Sequence, residues 1–269
     1  MSRRETFIDT HCHLLPGVDD GAITWEDALA MARAAAADGI SVAIVTPHQL
    51  GTNRQLNGPT IRAKTAHLQQ FLNQNHVSLH VLPGAEVRVE PDLVEKIREG
   101  EVLTLADRGR YVLLELPHEV YLPLDEMLQN LRRAGLIGIL AHIERNQGVL
   151  AQPSVIQPLL DSGCLLQVTA ASITGSFGPH VQKLAERLIQ QGQVQFIATD
   201  AHGVNVRRPQ MQRAFQRTVE LAGYRTACDL FCNHPAAVVN DQPLALWTKK
   251  TSHSKRPGLG RWFPWSKAG

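Results

Sequence analysis

Short apolar runs recur along this chain, and each pair is separated by enough residues for one helix. Seven runs read as strands, over residues 6–10, 41–46, 79–86, 111–116, 136–141, 164–169 and 194–199. Most are rich in Val, Ile and Leu with little alternation, as in parallel strands covered on both faces. The intervening segments are amphipathic. "TWEDALAMARAAAADG" has Thr24 as its N-cap and Gly39 just past its end, and "PTIRAKTAHLQQFLNQ", "PLDEMLQNLRRAG", "PSVIQPLLDSG", "PHVQKLAERLIQQG" and "PQMQRAFQRTVELAG" follow. Several begin at Pro and end at Gly, the usual asymmetry of helix ends. Strand alternating with helix implies βα units and a parallel sheet. Seven strands in 269 residues fit one α/β domain, closed or nearly closed as a (β/α)7-like barrel, with an open doubly wound sheet as the alternative.

The strand ends carry the chemistry. The first ends in "DTHCH" with Asp9, His11 and His13, and a turn with Asp20 follows. The next ends carry His48 ("TPH"), Glu86 ("GAEV"), Glu115 ("LLELP"), His142 with Glu144 and Arg145 ("AHIER"), and, last, Asp200 and His202 ("TDAH"); the sixth, "QVTAAS", carries neither histidine nor carboxylate. In parallel α/β architectures these carboxyl ends share one face. A lone histidine at a strand end is usually a capping or core residue, and His67, His76, His80, His118, His180, His234 and His253 receive no role. Carboxylates crowded on one rim, however, resist ionisation without counter-charge, and divalent cations supply it. Imidazole with carboxylate suits zinc, iron or manganese. His11 and His13 lie two residues apart on a strand, so they face the same side and can share one ion. The candidate ligands are His11, His13, Asp20, His48, Glu86, Glu115, His142, Asp200 and His202, too many for one ion. Three ions with shared carboxylates fit that set and leave open positions.

The motifs "DTHCHLLPGVDDG", "TPH", "GAEV", "LLELP", "AHIERN" and "TDAHG" resemble the PHP (polymerase and histidinol phosphatase) superfamily. More narrowly, the chain resembles the CpsB/YwqE-type metal-dependent protein-tyrosine phosphatases of bacterial capsule and exopolysaccharide synthesis, in order over roughly residues 5–240. The resemblance implies a distorted (β/α)7 TIM-like barrel with three divalent ions, manganese first, iron or zinc as alternatives. By that resemblance, His11, His13, Glu86 and Asp200 hold the first ion. Glu86 bridges to a second, completed by Glu115 and His142, and Asp20, His48 and His202 hold the third. Arg145 and Arg207 bind phosphate, with Arg208 the neighbour able to replace Arg207. The resemblance also implies a phosphotyrosine protein as substrate, a membrane-associated bacterial tyrosine kinase.

The expected reaction is attack on a phosphomonoester by a hydroxide bridging two ions, with arginine forks on the phosphoryl oxygens. A phenol with a pKa of about 10 leaves readily. Asp20, a histidine or a metal-bound water are the open choices for proton donor. Cysteine chemistry has no support: none of Cys12, Cys164, Cys228 and Cys232 has Arg six positions on. The rivals are another PHP phosphoesterase (histidinol phosphate, nucleotide or DNA-end), an amidohydrolase, and a non-catalytic metal-binding protein of the polysaccharide machinery. Amidohydrolases commonly carry a mid-barrel lysine, which the strand ends lack.

Composition limits the setting. No basic-then-apolar leader and no apolar run of membrane-spanning length is visible, so a cytoplasmic protein is expected. After Asp241 come six basic residues (Lys249, Lys250, Lys255, Arg256, Arg261, Lys267) and no acidic one. Removing these six charges from the net +2 leaves the rest near −4, so nucleic acid is not an expected partner. The expected division is a phosphatase domain over 1–244 and a basic, flexible tail over 245–269 with Trp247, Trp262 and Trp265. Trp beside Lys and Arg suits weak contact with an anionic membrane, which would place the protein peripherally at the inner face. An oligomer is compatible with the sequence.

Overall fold

A computed structural model describes residues 6–244 of the chain. The basic tail and its tryptophans lie outside the described residues. All seven strand expectations correspond to β structure, in the order β1 (Phe7–Cys12), β2 (Ile40–Val45), β3 (His48–Gln49), β4 (His80–Pro83), β5 (Glu86–Arg88), β6 (Tyr111–Glu115), β7 (Ile137–Leu140), β8 (Leu165–Thr169) and β9 (Phe196–Ala198). Two of the seven runs are broken. The second continues past Thr46 and Pro47 as β3, and the third is interrupted at Gly84 and Ala85. Each break carries the chain from one sheet into another. The first sheet has the order β1-β2-β4 and the second β3-β5-β6-β7-β8-β9, with all pairs parallel. Cys12, the last residue of β1, and Ala201, past the end of β9, form an isolated parallel bridge. The fold is therefore α/β with parallel strands.

Helices connect the strands. The first, α1 (Trp25–Asp38), begins with a capping box: Asp27 N–H donates to Thr24 Oγ1 and the Thr24 N–H to the Asp27 carboxylate. It ends at Gly39, whose φ of 104° is a left-handed conformation natural to glycine. The helices α2 (Gly58–Gln74), α3 (Leu93–Arg98), α4 (Asp125–Arg133), α5 (Gln147–Ala151), α6 (Ile156–Asp161), α7 (Ala170–Ile173), α8 (Pro179–Gln190), α9 (Gln212–Ala222), α10 (Tyr224–Cys228) and α11 (His234–Val239) follow. At the amino end of β1, Phe7, Phe215 and Phe231 pack with ring centroids 5.3–5.8 Å apart. This apolar plug closes the end of β1 away from His11. Among the described residues, no helix is long and apolar enough to cross a membrane.

Candidate metal centre

The carboxyl ends of the strands gather the nine candidate ligands. β1 delivers His11 and His13, aided by an irregularity in its pairing: Asp9 pairs with Ala43 but Cys12 with Val45, one extra residue on β1. Such a bulge re-aims side chains at a strand end. Both imidazoles are fully buried, with their Nε2 atoms 3.2 Å apart. The intervening Cys12 turns away, and its thiol donates to the Ile44 carbonyl. Burial pushes the Cys12 thiol well up, and that of Cys164 to about 12, so neither is a ready thiolate.

Four ligand atoms converge in the buried heart of the site. His11 Nε2 lies 3.2 Å from Glu86 Oε2 and 3.3 Å from Asp200 Oδ1; His13 Nε2 lies 3.4 and 3.6 Å from the same two oxygens. This is the grouping expected for the first ion. Above it, His13, Asp20, His48 and His202 form a second group, with Asp20 Oδ1 3.3 Å from His48 Nε2 and 3.2 Å from His202 Nε2. A third group joins Glu86, Glu115 and His48, whose Nδ1 is 3.1 Å from Glu86 and 3.6 Å from Glu115. His142 reaches the other oxygen of Glu86 at 2.7 Å rather than joining a compact three-residue group with Glu115. His48 thus faces two groups, which the spacing of motifs along the chain does not reveal.

The outer nitrogens of the imidazoles are held from behind. Asp19 Oδ2 lies 2.7 Å from His13 Nδ1 and also accepts the His48 N–H. His202 Nδ1 lies 3.0 Å from the Asp200 carbonyl, which only a protonated nitrogen can approach favourably. His11 Nδ1 meets the side-chain amide of Gln167, from β8, at 2.7 Å. The atom placed there is Gln167 Nε2, and its Oε1 is buried without a partner; for His11 to offer a lone pair at Nε2, its Nδ1 must carry the proton, and the amide would then turn to present its carbonyl oxygen. Such outer contacts fix ring orientation and tautomer in metal sites. Neither Asp19 nor Gln167 was among the residues singled out from sequence. The available signals were the doubled aspartate of "VDDG" and a lone amide inside the apolar "LLQVT". Glu144, in "HIER", faces away from the site and accepts from Thr169 N–H and Ser172 Oγ.

The electrostatics reflect many ionisable groups held close together in a buried site. Burial and the neighbouring Glu86 raise the pKa of Glu115. Glu86 itself, despite burial, is held well below the usual carboxylate range by His11 and His142. Burial opposes charge on His11 and lowers its pKa. Burial also opposes charge on His13, yet its hydrogen bond to Asp19 and the nearby Glu86 carboxylate raise its pKa to about 10. Glu86 Oε2 and Asp200 Oδ1 are buried and make no hydrogen bond within the described residues. Two orphaned carboxylate oxygens facing imidazole nitrogens fit a divalent ion better than they fit each other. Two arginines complete the rim. Arg145 Nη1 and Arg207 Nη2 both donate to Asp200 Oδ2, the latter at 2.5 Å. Arg208 instead donates Nε to the Val204 carbonyl, so Arg207 is the arginine at the cluster. His142, Asp200 and Arg207 have positive φ (33°, 51° and 51°) without being glycine. Each such residue costs roughly 1–3 kcal/mol, a strain that clusters at functional sites.

The chain is similar to several known proteins. The tyrosine-protein phosphatase YwqE of Bacillus subtilis is 34% identical over 209 residues, covering 77% of this chain and 82% of that protein. The tyrosine-protein phosphatase CpsB of Streptococcus pneumoniae is 26% identical over 241 residues, covering 87% and 99%. A structure from work on YwqE and CpsB, described as unique metal-dependent tyrosine phosphatases, superposes with a TM-score of 0.84 at 30% identity, over 88% of this chain and 96% of that one. The family model for capsular polysaccharide synthesis, CpsB/CapC, matches residues 7–240. The chain belongs to the CpsB/CapC family of capsular polysaccharide synthesis proteins.

Proposed function

We propose that this chain is a metal-dependent protein-tyrosine phosphatase. The observation that carries the reading is the pair of guanidinium groups, Arg145 and Arg207, converging on Asp200 beside the ligand cluster. A planar guanidinium fork suits phosphoryl oxygens and cannot itself ligate a metal. His11, His13, Glu86 and Asp200 would hold one ion, Glu86, Glu115 and His142 a second, and Asp20, His48 and His202 a third, with manganese the proposed metal. When bound, the ions supply Lewis-acid charge and a water acidic enough to attack phosphorus near neutral pH.

The protein's own residues do the rest. Arg145 and Arg207 bind and orient the phosphoryl group, while Asp19 and Gln167 keep His13 and His11 in register. The imidazoles of His202 and His48, 3.2 and 3.3 Å away, hold the Asp20 carboxyl well below its ordinary pKa, which suits a metal ligand better than a proton donor. A tyrosyl phenol, with a pKa of about 10, needs little acid assistance to leave. An apolar mouth supports an aryl substrate. Ile23 and Val206, 78% and 74% exposed, line a cleft of about 430 Å³ that also contains Asp20, His202 and Arg207. Exposed apolar side chains grouped at such a mouth suit a phenyl ring.

The family's place in capsular polysaccharide synthesis supports a membrane-associated bacterial tyrosine kinase as the substrate. The bridge between Cys12 and Ala201 supports a distorted (β/α)7 barrel spanning a phosphatase domain over residues 1–244. The six basic residues of 245–269 support a peripheral contact at the inner face of the membrane. The deciding experiment compares phosphotyrosine with phosphoserine peptides, with metal content measured on the same sample. Phosphotyrosine should be hydrolysed preferentially, with loss on chelation and recovery on adding manganese. Equal rates on both peptides, or full activity after verified metal stripping, would refute the reading.

A further inference from the structure

Beside the metal cluster lies a separate groove of about 290 Å³, walled by Phe177, Val206, Arg207, Arg208, Gln210 and Arg213, among others. Three of its lining side chains are guanidinium groups and none is acidic. Two contacts join it to the cluster. Arg207 donates to Asp200, and Phe177 carries the guanidinium of Arg145 at 4.3 Å from its ring centroid. Arg208 and Arg213 are exposed, and neither forms an ion pair with another described residue. The amino end of α9, beside Arg213, already has its anion: the Asp38 carboxylate accepts from the N–H groups of Met211 and Gln212. The positive charge of the groove therefore comes from side chains. Arg207 is already paired with Asp200, but Arg208 and Arg213 form no ion pair within the described residues, and like charges grouped in this way favour an incoming anion.

The opposite side differs in sign. Across the Val206–Arg207 ridge, which borders both cavities, the other cleft is lined by Asp20 and Asp27. A substrate chain leaving the cluster thus meets arginines on one side and carboxylates on the other.

We propose that the arginine groove receives an acidic residue of the substrate close in sequence to the phosphotyrosine, with Arg208 and Arg213 determining that specificity. The proposal rests on the phosphatase reading and adds the substrate class: phosphotyrosine in an acidic sequence context. Neither arginine touches the metal cluster, so removing them should alter peptide choice and leave the reaction itself intact.

The test uses full-length, manganese-loaded protein and two phosphotyrosine peptides, one flanked on both sides by Glu and the other by Gln. The wild type should favour the Glu peptide in kcat/KM by roughly fivefold at low salt, mainly through KM, as expected for two exposed ion pairs. Both high salt and the double variant Arg208→Gln, Arg213→Gln should erase the preference, while turnover of a small aryl phosphate stays unchanged. Binding of the same two peptides with a non-hydrolysable phosphonate in place of the phosphate is measured in parallel. A binding preference without turnover would uphold the groove and sink the phosphatase reading. Equal binding of the two peptides to wild type, or a preference that survives in the double variant, would overturn the proposal.

Discussion

Gln167 shows how much a single buried amide can decide. It is the only side chain placed against His11 Nδ1 by a hydrogen bond in the described residues, and it comes from the one strand end that lacks histidine and carboxylate. Gln167→Leu keeps the approximate volume but leaves the His11 N–H without an acceptor. Metal affinity should fall by roughly 10- to 100-fold, the usual effect of losing an outer-shell partner, as a metal titration would reveal. Unchanged affinity would mean that His11 is oriented by packing alone. Arg145 separates binding of metal from binding of phosphate. Arg145→Ala should lower kcat/KM on aryl phosphates by about 10²–10³-fold while metal content, measured on the same sample, remains full. Near-normal turnover would remove Arg145 from the phosphoryl site. The nine candidate ligands were legible because histidines and carboxylates at strand ends stand out against apolar runs. Asp19 and Gln167 were not, because a turn aspartate and a strand amide acquire their roles only from what the fold sets opposite them.

At the scale of elements, the turn after β1 is the most constrained piece of the site. A Cβ on Gly21 would lie 2.2 Å from the His13 carbonyl oxygen and 2.5 Å from the His13 Cβ. Backbone cannot yield as a flexible side chain does, so Gly21→Ala must displace the turn holding Asp19 and Asp20. We expect a loss of about 1–3 kcal/mol, the usual range for overpacking, seen as a lower melting midpoint together with poorer metal loading. A variant that melts and loads like wild type would show that the turn has slack. The seven strands were readable from their apolar runs, but not the breaks at Thr46–Pro47 and Gly84–Ala85, because composition does not say when a strand changes sheet. The helices α10 and α11 also went unread. Between them, Asp229–Asn233 forms a π turn, which shifts the periodicity that would reveal a continuous helix.

At the scale of the whole molecule, the end of the described chain is fastened to the body. The Tyr111 hydroxyl donates to the Gln242 carbonyl at 2.7 Å, and Arg110 pairs with Asp241 at 2.8 Å. All nine candidate ligands and both arginines lie before this anchor. Truncation after Leu244 should therefore leave turnover of a small aryl phosphate nearly unchanged; a collapse would make residues 245–269 part of the working fold. The division of the strands into two sheets has a thermodynamic consequence. His11 and His13 end a strand of the first sheet, whereas Glu86 begins a strand of the second and Asp200 follows its last strand. An ion held by these four would act as a rivet across the seam, and its binding free energy would add to the resistance of the whole protein to unfolding. At a hundred times its dissociation constant, one such ion contributes about 2.7 kcal/mol. Starving the protein of metal would then loosen its architecture as well as silence its chemistry, so thermal melting recorded against free manganese would report occupancy without any substrate present.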